Sequence, residues 1–289
     1  DQLDLPNARG FFALGLAPSD RVGNLFAVGA LYMTFVHINR MLQQYGCVNF
    51  PFANNTPHEF VHTVVKLFNV NCLTGIASVV LDALRAFDRI MGMSGNAHQR
   101  LARKIKKIKI DKIFYGGEHL YEADKKEITS KFGTRLIAAP GYGTVDTWYL
   151  GYQCLECPTG VFHAHDDQVY LEVVNEETGA ACEIGEPGML FATAFPRRLM
   201  PVVRYRVGDR AKWLGEKCLC GRTTPLYKLL GRGDDVLRIC YDSVDYAAVQ
   251  DCVVGIAGLS GTVQIAKERE AGKDRLVVRV ETDLPVNEY

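Results

Sequence analysis

Residues 139–147 read Ala-Pro-Gly-Tyr-Gly-Thr-Val-Asp-Thr, and they overlap the end of a short apolar run at residues 136–139. Branched and small apolar residues that stop at a Pro-Gly pair are typical of a buried strand that ends in a turn. A glycine-rich turn of this kind is either a plain turn or a loop that binds a ligand. The residue types in the turn and the chain around it decide between the two interpretations.

The turn brings three useful residue types together. Gly141 and Gly143 would let a ligand approach the backbone closely, because glycine has no side chain in the way. Tyr142 offers a flat ring for stacking. Thr144 and Asp146 supply a hydroxyl and a carboxylate, which suit a phosphate group and its Mg²⁺ ion. These residues favour the ligand-binding loop.

The chain before this loop alternates between strand and helix patterns. One helix is predicted after Pro57, with Thr56 as its N-cap and Glu59 at the spacing of a capping box. The other predicted helices cover residues 8–17, 30–45, 78–91 and 122–132, and the predicted strands cover 22–28, 47–52, 72–76 and 108–115. This alternation indicates βαβ units and a mostly parallel sheet, with a ligand beyond the carboxyl ends of the strands.

The pattern changes after residue 150, where short alternating apolar runs are separated by Gly, Pro and Asp. The runs cover residues 169–174, 189–193, 202–205 and 211–214. They predict an antiparallel sheet or distorted barrel packed on the first part. A third pattern begins at residue 231 and predicts a turn, one helix and two strands. The helix is expected at residues 244–253 and the strands at 262–266 and 276–281.

The predicted fold is therefore of the α/β class, with a large N-terminal domain and a smaller, partial α+β C-terminal domain. We expect the N-terminal domain over residues 1–230, with a parallel α/β part to about residue 150 and an antiparallel β-rich part at 151–230. The C-terminal domain would cover residues 231–289.

The composition excludes several classes of protein. The chain has 289 residues, 48% of them hydrophobic, which is ample material for a core. Lys and Arg together number 33, as do Asp and Glu, so no net charge attracts nucleic acid or an anionic membrane. The longest apolar stretch, around residues 28–36, is too short to span a bilayer. The first ten residues carry no signal-peptide pattern, and we expect a cytoplasmic protein.

The nine cysteines are better explained by reduced thiols than by a disulfide framework, because nine is odd and the chain is large. Four of them form two close pairs: Cys154 with Cys157, and Cys218 with Cys220. His163 and His165 lie near the first pair. A structural Zn²⁺ site with four cysteines, or with three cysteines and one histidine, is chemically sensible. The alternative is free buried thiols, which are common.

Five motifs follow one another along the chain in a specific order. They are YGGEHL at 115–120, PGYGTVD at 140–146, YRVGD at 205–209, CLCGRTTP at 218–225 and GRGDD at 231–235. In combination they resemble the acyl- and aryl-adenylating (AMP-binding) ligase superfamily, specifically its phenylacetate–CoA ligase-like branch. The resemblance covers nearly the whole chain, from Phe11 onward. Within the branch, it extends to members of antibiotic biosynthesis that activate a phenazine carboxylate.

The resemblance implies roles for the first two motifs. Gly116, Gly117 and Glu118 would lie against the adenine of ATP, and Tyr142 would stack on it. Gly143 and Thr144 would line the phosphates, with Thr144 at the α-phosphate. Asp146 would hold Mg²⁺, although the family usually has glutamate there and the shorter acid puts the magnesium geometry in doubt.

The later motifs imply three further roles. Asp209 would accept hydrogen bonds from the ribose hydroxyls, and Arg232 would contact the ribose or a phosphate. Asp234 would be the hinge of the C-terminal domain. A loop-capping Asp209 and a surface Arg232 are the simpler alternatives. Tyr241 stands where the resembling ligases have a glycine on the CoA route, so we expect slow transfer to CoA unless the loop is shifted and Tyr241 faces solvent. By the same resemblance His37 would gate the acyl pocket, and the alternative is a packed or surface histidine.

The resemblance implies two more features, a phosphate loop ending in Lys before Phe11 and a catalytic lysine after Tyr289, and neither lies within residues 1–289. Either they belong to segments outside these residues, or the protein lacks them. The function that the resemblance implies is ATP-dependent adenylation of an aromatic carboxylic acid, with Mg²⁺ and with transfer to CoA or another acceptor. The alternative is a non-catalytic nucleotide-binding relative that acts as a scaffold or regulator. We also expect a homodimer and a downstream reductase or other acyl acceptor as a partner.

Overall fold

A computed structural model describes residues 5–29, 33–92, 108–118, 120–233, 236–239, 242–254, 256, 259–270 and 273–282. The helices in this part of the chain are α1 (Leu5–Ala13), α2 (Thr34–Tyr45), α3 (His58–Leu67), α4 (Ala77–Gly92), α5 (Glu122–Phe132) and α6 (Tyr246–Val254). None of these helices is both long enough and apolar enough to cross a membrane.

The strands begin with β1 (Arg21–Leu25), β2 (Val48–Pro51), β3 (Cys72–Ile76), β4 (Lys112–Gly116), β5 (Leu136–Ala138), β6 (Tyr142–Thr144), β7 (Trp148–Tyr152) and β8 (Val161–Ala164). They continue with β9 (Val169–Val174), β10 (Gly188–Ala194), β11 (Val202–Leu214), β12 (Leu226–Arg232), β13 (Val236–Ile239), β14 (Asp242–Asp245), β15 (Leu259–Glu270) and β16 (Lys273–Thr282).

The first five strands form a parallel sheet in the order β2-β1-β3-β4-β5. Helices α3, α4 and α5 cover one face, and their buried side chains include Val61, Phe87 and Ile128. Helices α1 and α2 cover the other face, with Phe11 and Leu42 fully buried. A parallel sheet covered on both faces needs largely apolar strands, and most residues of β1, β3 and β4 are buried here. The predicted α/β part is confirmed.

Two loops leave this sheet at the same edge. β4 ends at Gly116 and β5 ends at Ala138, and the two strands are parallel neighbours. Residues 116–118 and 140–147 therefore follow the carboxyl ends of adjacent strands, which is where open α/β sheets bind ligands.

The second sheet has seven antiparallel strands in the order β6-β7-β8-β12-β11-β10-β9. Its core contains Leu150, Leu190 and Tyr227, all fully buried. The predicted antiparallel part is confirmed, but one detail is wrong. The two runs predicted at residues 202–205 and 211–214 belong to one long strand, β11, which is irregular at Gly208, where φ is +91°.

The last described elements are the hairpin β13–β14, helix α6 and the hairpin β15–β16. Helix α6 packs against β15, and the Tyr246 hydroxyl donates a hydrogen bond of 2.9 Å to the Val263 carbonyl oxygen. The expected helix and strands are present, and both strands are longer than their apolar runs because hairpin pairing extends them.

The start of α3 differs from the expectation. Its N-cap is Pro57, and no side chain caps the helix. The Thr56 hydroxyl instead donates to the Phe52 carbonyl oxygen. The predicted capping box is therefore wrong, because a threonine hydroxyl can bond equally well to the backbone of the preceding turn.

Candidate active site

The loop after β4 is fixed on helix α4. Glu118 Oε2 accepts a hydrogen bond of 2.9 Å from the backbone N–H of Ser78, in the first turn of α4. A carboxylate at this position satisfies an N–H that has no partner within the helix. Gly117 has a φ of +79°, which a residue with a side chain would adopt only with strain. Gly116 and Glu118 thus flank a turn of fixed shape at the sheet edge.

Gly141 and Gly143 pack so closely against strand β7 that there is little room for a side chain at either position. A Cβ atom on Gly143 would lie 2.2 Å from the Trp148 carbonyl oxygen. A Cβ atom on Gly141 would lie 2.9 Å from the Tyr149 ring. Close packing within the hairpin is therefore sufficient to explain both glycines, and their approach to a ligand stays a prediction.

Thr144 ends strand β6 and Asp146 lies in the turn that follows, and both are half-buried. Thr144 Oγ1 lies 2.9 Å from Thr147 Oγ1 and accepts a hydrogen bond from the Thr147 N–H. Asp146 Oδ2 accepts a hydrogen bond of 2.8 Å from the hydroxyl of Tyr205, on β11. This second bond connects the hairpin to the YRVGD motif.

Tyr142, Asp209 and Arg232 come together on three strands of the second sheet. The Tyr142 hydroxyl donates to Asp209 Oδ2. Arg232 Nη1 lies 3.6 Å from Asp209 Oδ1, and the two residues are paired in register across β11 and β12. The Asp209 side chain is 14% exposed and that of Arg232 is 53% exposed. Three residues that the sequence placed in separate motifs therefore form one cluster.

Electrostatics keep the Tyr142 hydroxyl protonated. Burial, together with the negative charge of Asp209, raises the pKa of Tyr142 far above its ordinary value. The phenol therefore keeps its proton and donates a hydrogen bond to the Asp209 carboxylate, which is the acceptor. The Tyr142 ring also packs against Phe162 and Tyr227, with centroid distances of 5.7 and 6.3 Å. Asp234 and Tyr241 lie outside the described residues.

A second aromatic pair lies beside the hairpin. His37, on α2, contacts the edge of Trp148, with ring centroids 4.5 Å apart. Trp148 has a φ of +68°, which is rare for a bulky residue and often marks a functional position. The sequence resemblance suggested that His37 gates an acyl pocket, with a packed histidine as the alternative. Both rings are half-buried, and the role of His37 stays a prediction.

Sequence reasoning missed two residues that hold the hairpin turn. Tyr205 bonds to Asp146, and Arg197 Nη1 donates a hydrogen bond of 3.1 Å to the Val145 carbonyl oxygen. Tyr205 was recognised only as part of a motif, without a role. Arg197 gave no signal, because it lies between two strands with no motif around it.

The paired cysteines meet at the other end of β7. Among the described residues, one group of metal-ligand side chains has all its ligand atoms within 4.8 Å of one another: Cys154, His163, Cys218 and Cys220. We call this group the thiol cluster. Cys157, the fourth cysteine of the predicted set, is 3.5 Å from Cys154, sulfur to sulfur, but it is not part of the group.

The fold of this chain is shared with solved ligase structures. The structure aligns with a crystal structure of 2-hydroxyisobutyryl-CoA ligase in the postadenylation state, in complex with R3-HIB-AMP, with a TM-score of 0.74 and 20% sequence identity. The alignment covers 97% of this chain and 58% of that chain. The chain therefore has the fold of the adenylate-forming ligases. No family model matches it.

Phenylacetate–coenzyme A ligases are homologues of this chain, which confirms the branch that its motifs resemble. The enzyme of Thermus thermophilus is 30% identical over 171 residues, covering 59% of this chain and 38% of the relative. The enzyme of Escherichia coli is 29% identical over 167 residues, which cover 58% of this chain and 38% of the relative. Indoleacetate–lysine synthetase of Pseudomonas savastanoi is 23% identical over 197 residues, which cover 68% of this chain and 43% of the relative. The chain matches less than half of the length of each.

Proposed function

We propose that the protein activates a carboxylic acid with ATP. A carboxylate oxygen attacks the α-phosphorus, the bond to the β-phosphate oxygen breaks, and an acyl-adenylate and pyrophosphate result. The observation that carries this proposal is the convergence of Tyr142, Asp209 and Arg232 beside the carboxyl edge of a parallel sheet. The homologues are named as ligases, which supports the same chemistry.

The nucleotide would bind through Asp209 and the residues around it. Asp209 is mostly buried and negatively charged, so it suits two ribose hydroxyls as an acceptor. The Tyr142 hydroxyl fixes the orientation of this carboxylate. Arg232 is half-exposed next to it and would contact the ribose or a phosphate. Gly116, Gly117 and Glu118 would line the adenine.

Mg²⁺ would be held by Asp146, beside Thr144 at the phosphates. A half-buried carboxylate next to a hydroxyl fits the oxygen ligands that Mg²⁺ prefers. The ion would neutralise charge on the phosphates. Tyr205 donates to Asp146 Oδ2 and so positions the shorter acid that stands where the family usually has glutamate. The chain's part in catalysis is to align two anions and to screen their charge.

The acyl acceptor and the acid are finer proposals. CoA appears in the names of the first two relatives, and lysine in the name of the third. We propose an aromatic acid and transfer to CoA or another acceptor, with transfer to CoA slowed if Tyr241 lies on the CoA route. We also propose a hinge-linked C-terminal domain that begins near residue 231. A phenazine carboxylate as the acid, a homodimer and a downstream reductase stay predictions from the sequence.

The test is carboxylate-dependent exchange of pyrophosphate into ATP by the full-length protein. The acids compared would be phenylacetate, indoleacetate, a phenazine carboxylate and 2-hydroxyisobutyrate, with acyl-CoA formation followed in parallel. We expect exchange with at least one aromatic acid and little with the aliphatic one. Tight ATP binding without exchange for any acid would favour the non-catalytic scaffold instead.

A further inference from the structure

The thiol cluster is built from two tight turns and one strand. Cys154 starts a turn directly after β7, and Cys218 and Cys220 lie in a turn between β11 and β12. His163 lies on β8, paired with Tyr152 of β7 on one side and with Leu226 of β12 on the other. The four side chains therefore converge from parts of the chain that only the sheet brings together.

Two distances within the cluster match those of a tetrahedral site, and all four ligand atoms lie within 4.8 Å of one another. The sulfur atoms of Cys154 and Cys218 are 3.5 Å apart, and the Cys220 sulfur is 3.4 Å from His163 Nε2. Zinc bonds of about 2.3 Å to sulfur and about 2.0 Å to nitrogen place neighbouring ligands about 3.5–3.8 Å apart in a tetrahedron. The cysteines are free thiols, so the approach of the sulfurs does not reflect disulfides.

The histidine is oriented as a metal ligand. His163 Nδ1 lies 3.0 Å from Thr224 Oγ1, and the ring stacks on Tyr152 with centroids 5.1 Å apart. When Nδ1 carries the proton and donates it to Thr224, the lone pair of Nε2 faces Cys220. Metal-bound histidines commonly use their other nitrogen in this way, which fixes both the tautomer and the ring orientation.

One cation lies beside the cysteines of the cluster. The Arg222 guanidinium is 6.0 Å from the centroid of the Tyr152 ring, on which His163 also stacks. Cys220 accepts from both the backbone and the side chain of Arg222. Three thiolates and one Zn²⁺ ion carry a net charge of about −1, which the Arg222 guanidinium offsets.

We propose that Cys154, Cys218, Cys220 and His163 bind a structural Zn²⁺ ion. With three sulfurs and one nitrogen the ion has a complete tetrahedral shell and no position for a substrate. It would join the turn after β7 to the turn before β12 across β8. None of its ligands belongs to the proposed nucleotide site, so this ion is separate from the Mg²⁺ of the proposed reaction.

The first test is the metal content of the chain produced with zinc in the medium and purified without chelator. Mass spectrometry of the metals should find about one zinc ion per chain. X-ray absorption at the zinc edge should show about three sulfur neighbours and one nitrogen. This measurement needs no variant. Protein without zinc, or a zinc ion with four sulfur neighbours, would overturn the proposed site.

Single substitutions test the ligand set. Cys154→Ser should lose most of the zinc, whereas Cys157→Ser should keep it, because Cys157 is not among the mutually close ligand atoms. Cys182→Ser, on a half-buried thiol outside the cluster, is the control for a general effect of losing a cysteine. Zinc loss from Cys157→Ser together with full retention in His163→Gln would contradict the assignment.

Discussion

The candidate active site and the thiol cluster share the seven-stranded sheet, but different interactions assemble them. In the active site, single hydrogen bonds join Tyr142 to Asp209 and Asp146 to Tyr205, across 67 and 59 residues of sequence. In the thiol cluster, two turns and a strand present four ligands to one point. We therefore expect a substitution in the active site to remove the contribution of one contact only. In the thiol cluster, the loss of any one ligand should release the proposed metal ion.

The largest effect is expected from Gly143→Ala. The new Cβ would lie 2.2 Å from the Trp148 carbonyl oxygen, and backbone cannot move aside as a flexible side chain can. We expect a loss of about 3 kcal/mol in the free energy of unfolding, with loss of nucleotide binding but retention of zinc. Urea unfolding and metal analysis would measure both.

Gly116→Ala is the matched control for this substitution. Its Cβ would lie 3.6 Å from the Phe26 ring, an ordinary contact, so the loss should be under about 1 kcal/mol. Equal stabilities of the two variants would mean that the hairpin backbone can move enough to accommodate a Cβ atom at residue 143. Loss of zinc in Gly143→Ala would show that the two regions are not independent.

The next largest effect is expected from Asp209→Ala. The ribose hydroxyls would lose a charged acceptor, and such hydrogen bonds contribute about 1.5–3 kcal/mol, so AMP and ATP should bind about tenfold or more weakly. Calorimetric titration with AMP would measure the affinity of the variant, and its zinc content should not change. A folded variant with unchanged affinity for AMP would remove Asp209 from the site.

A smaller effect is expected from Tyr205→Phe. The change removes the hydroxyl that donates to Asp146 and keeps the ring. Tyr205 is 39% exposed, so solvent weakens this hydrogen bond to the carboxylate, and its loss should cost little. The Mg²⁺ concentration needed for half-maximal ATP binding should therefore rise only about two- to threefold. Tyr170→Phe, on an exposed tyrosine of β9, is the control. If ATP binding by the two variants requires the same Mg²⁺ concentration, Asp146 is not the Mg²⁺ ligand.

The smallest effect concerns the ion pair that ties α1 to the segment after β8. The hydrogen bonds from Arg9 hold the pKa of Asp167 at about 2, below its ordinary 3.8. The pair therefore stabilises the fold above pH of about 4, and the stabilisation is lost as the pH falls through about 2.

Asp167→Asn tests this pair. The Asp167 side chain is 45% exposed, so the variant should be less stable at pH 7 by under about 1 kcal/mol. Denaturant unfolding at several pH values should show that the difference shrinks below pH of about 4 and disappears only below pH of about 2. A difference that persists there would assign the effect to something other than the charge.

The fold could be predicted from the sequence wherever the pattern was local. Strand β3 and helix α5 have the predicted bounds, Cys72–Ile76 and Glu122–Phe132, because apolar periodicity reflects burial on a nearby surface. Strand β11 was predicted in two pieces. Its pairing with both β10 and β12 keeps it continuous through Gly208, and no local pattern contains that pairing.

The sequence by itself determined which residues are candidates for the chemistry: the glycine-rich turn, Asp209, Arg232 and the paired cysteines. Only the tertiary structure decided how they combine. It bonds Asp146 to Tyr205 and brings His163 rather than Cys157 into the thiol cluster. The physical reason is the same in both cases. Contacts between residues far apart along the chain depend on which strands become neighbours, and the order of strands in a sheet is set by packing of the whole core rather than by any one segment.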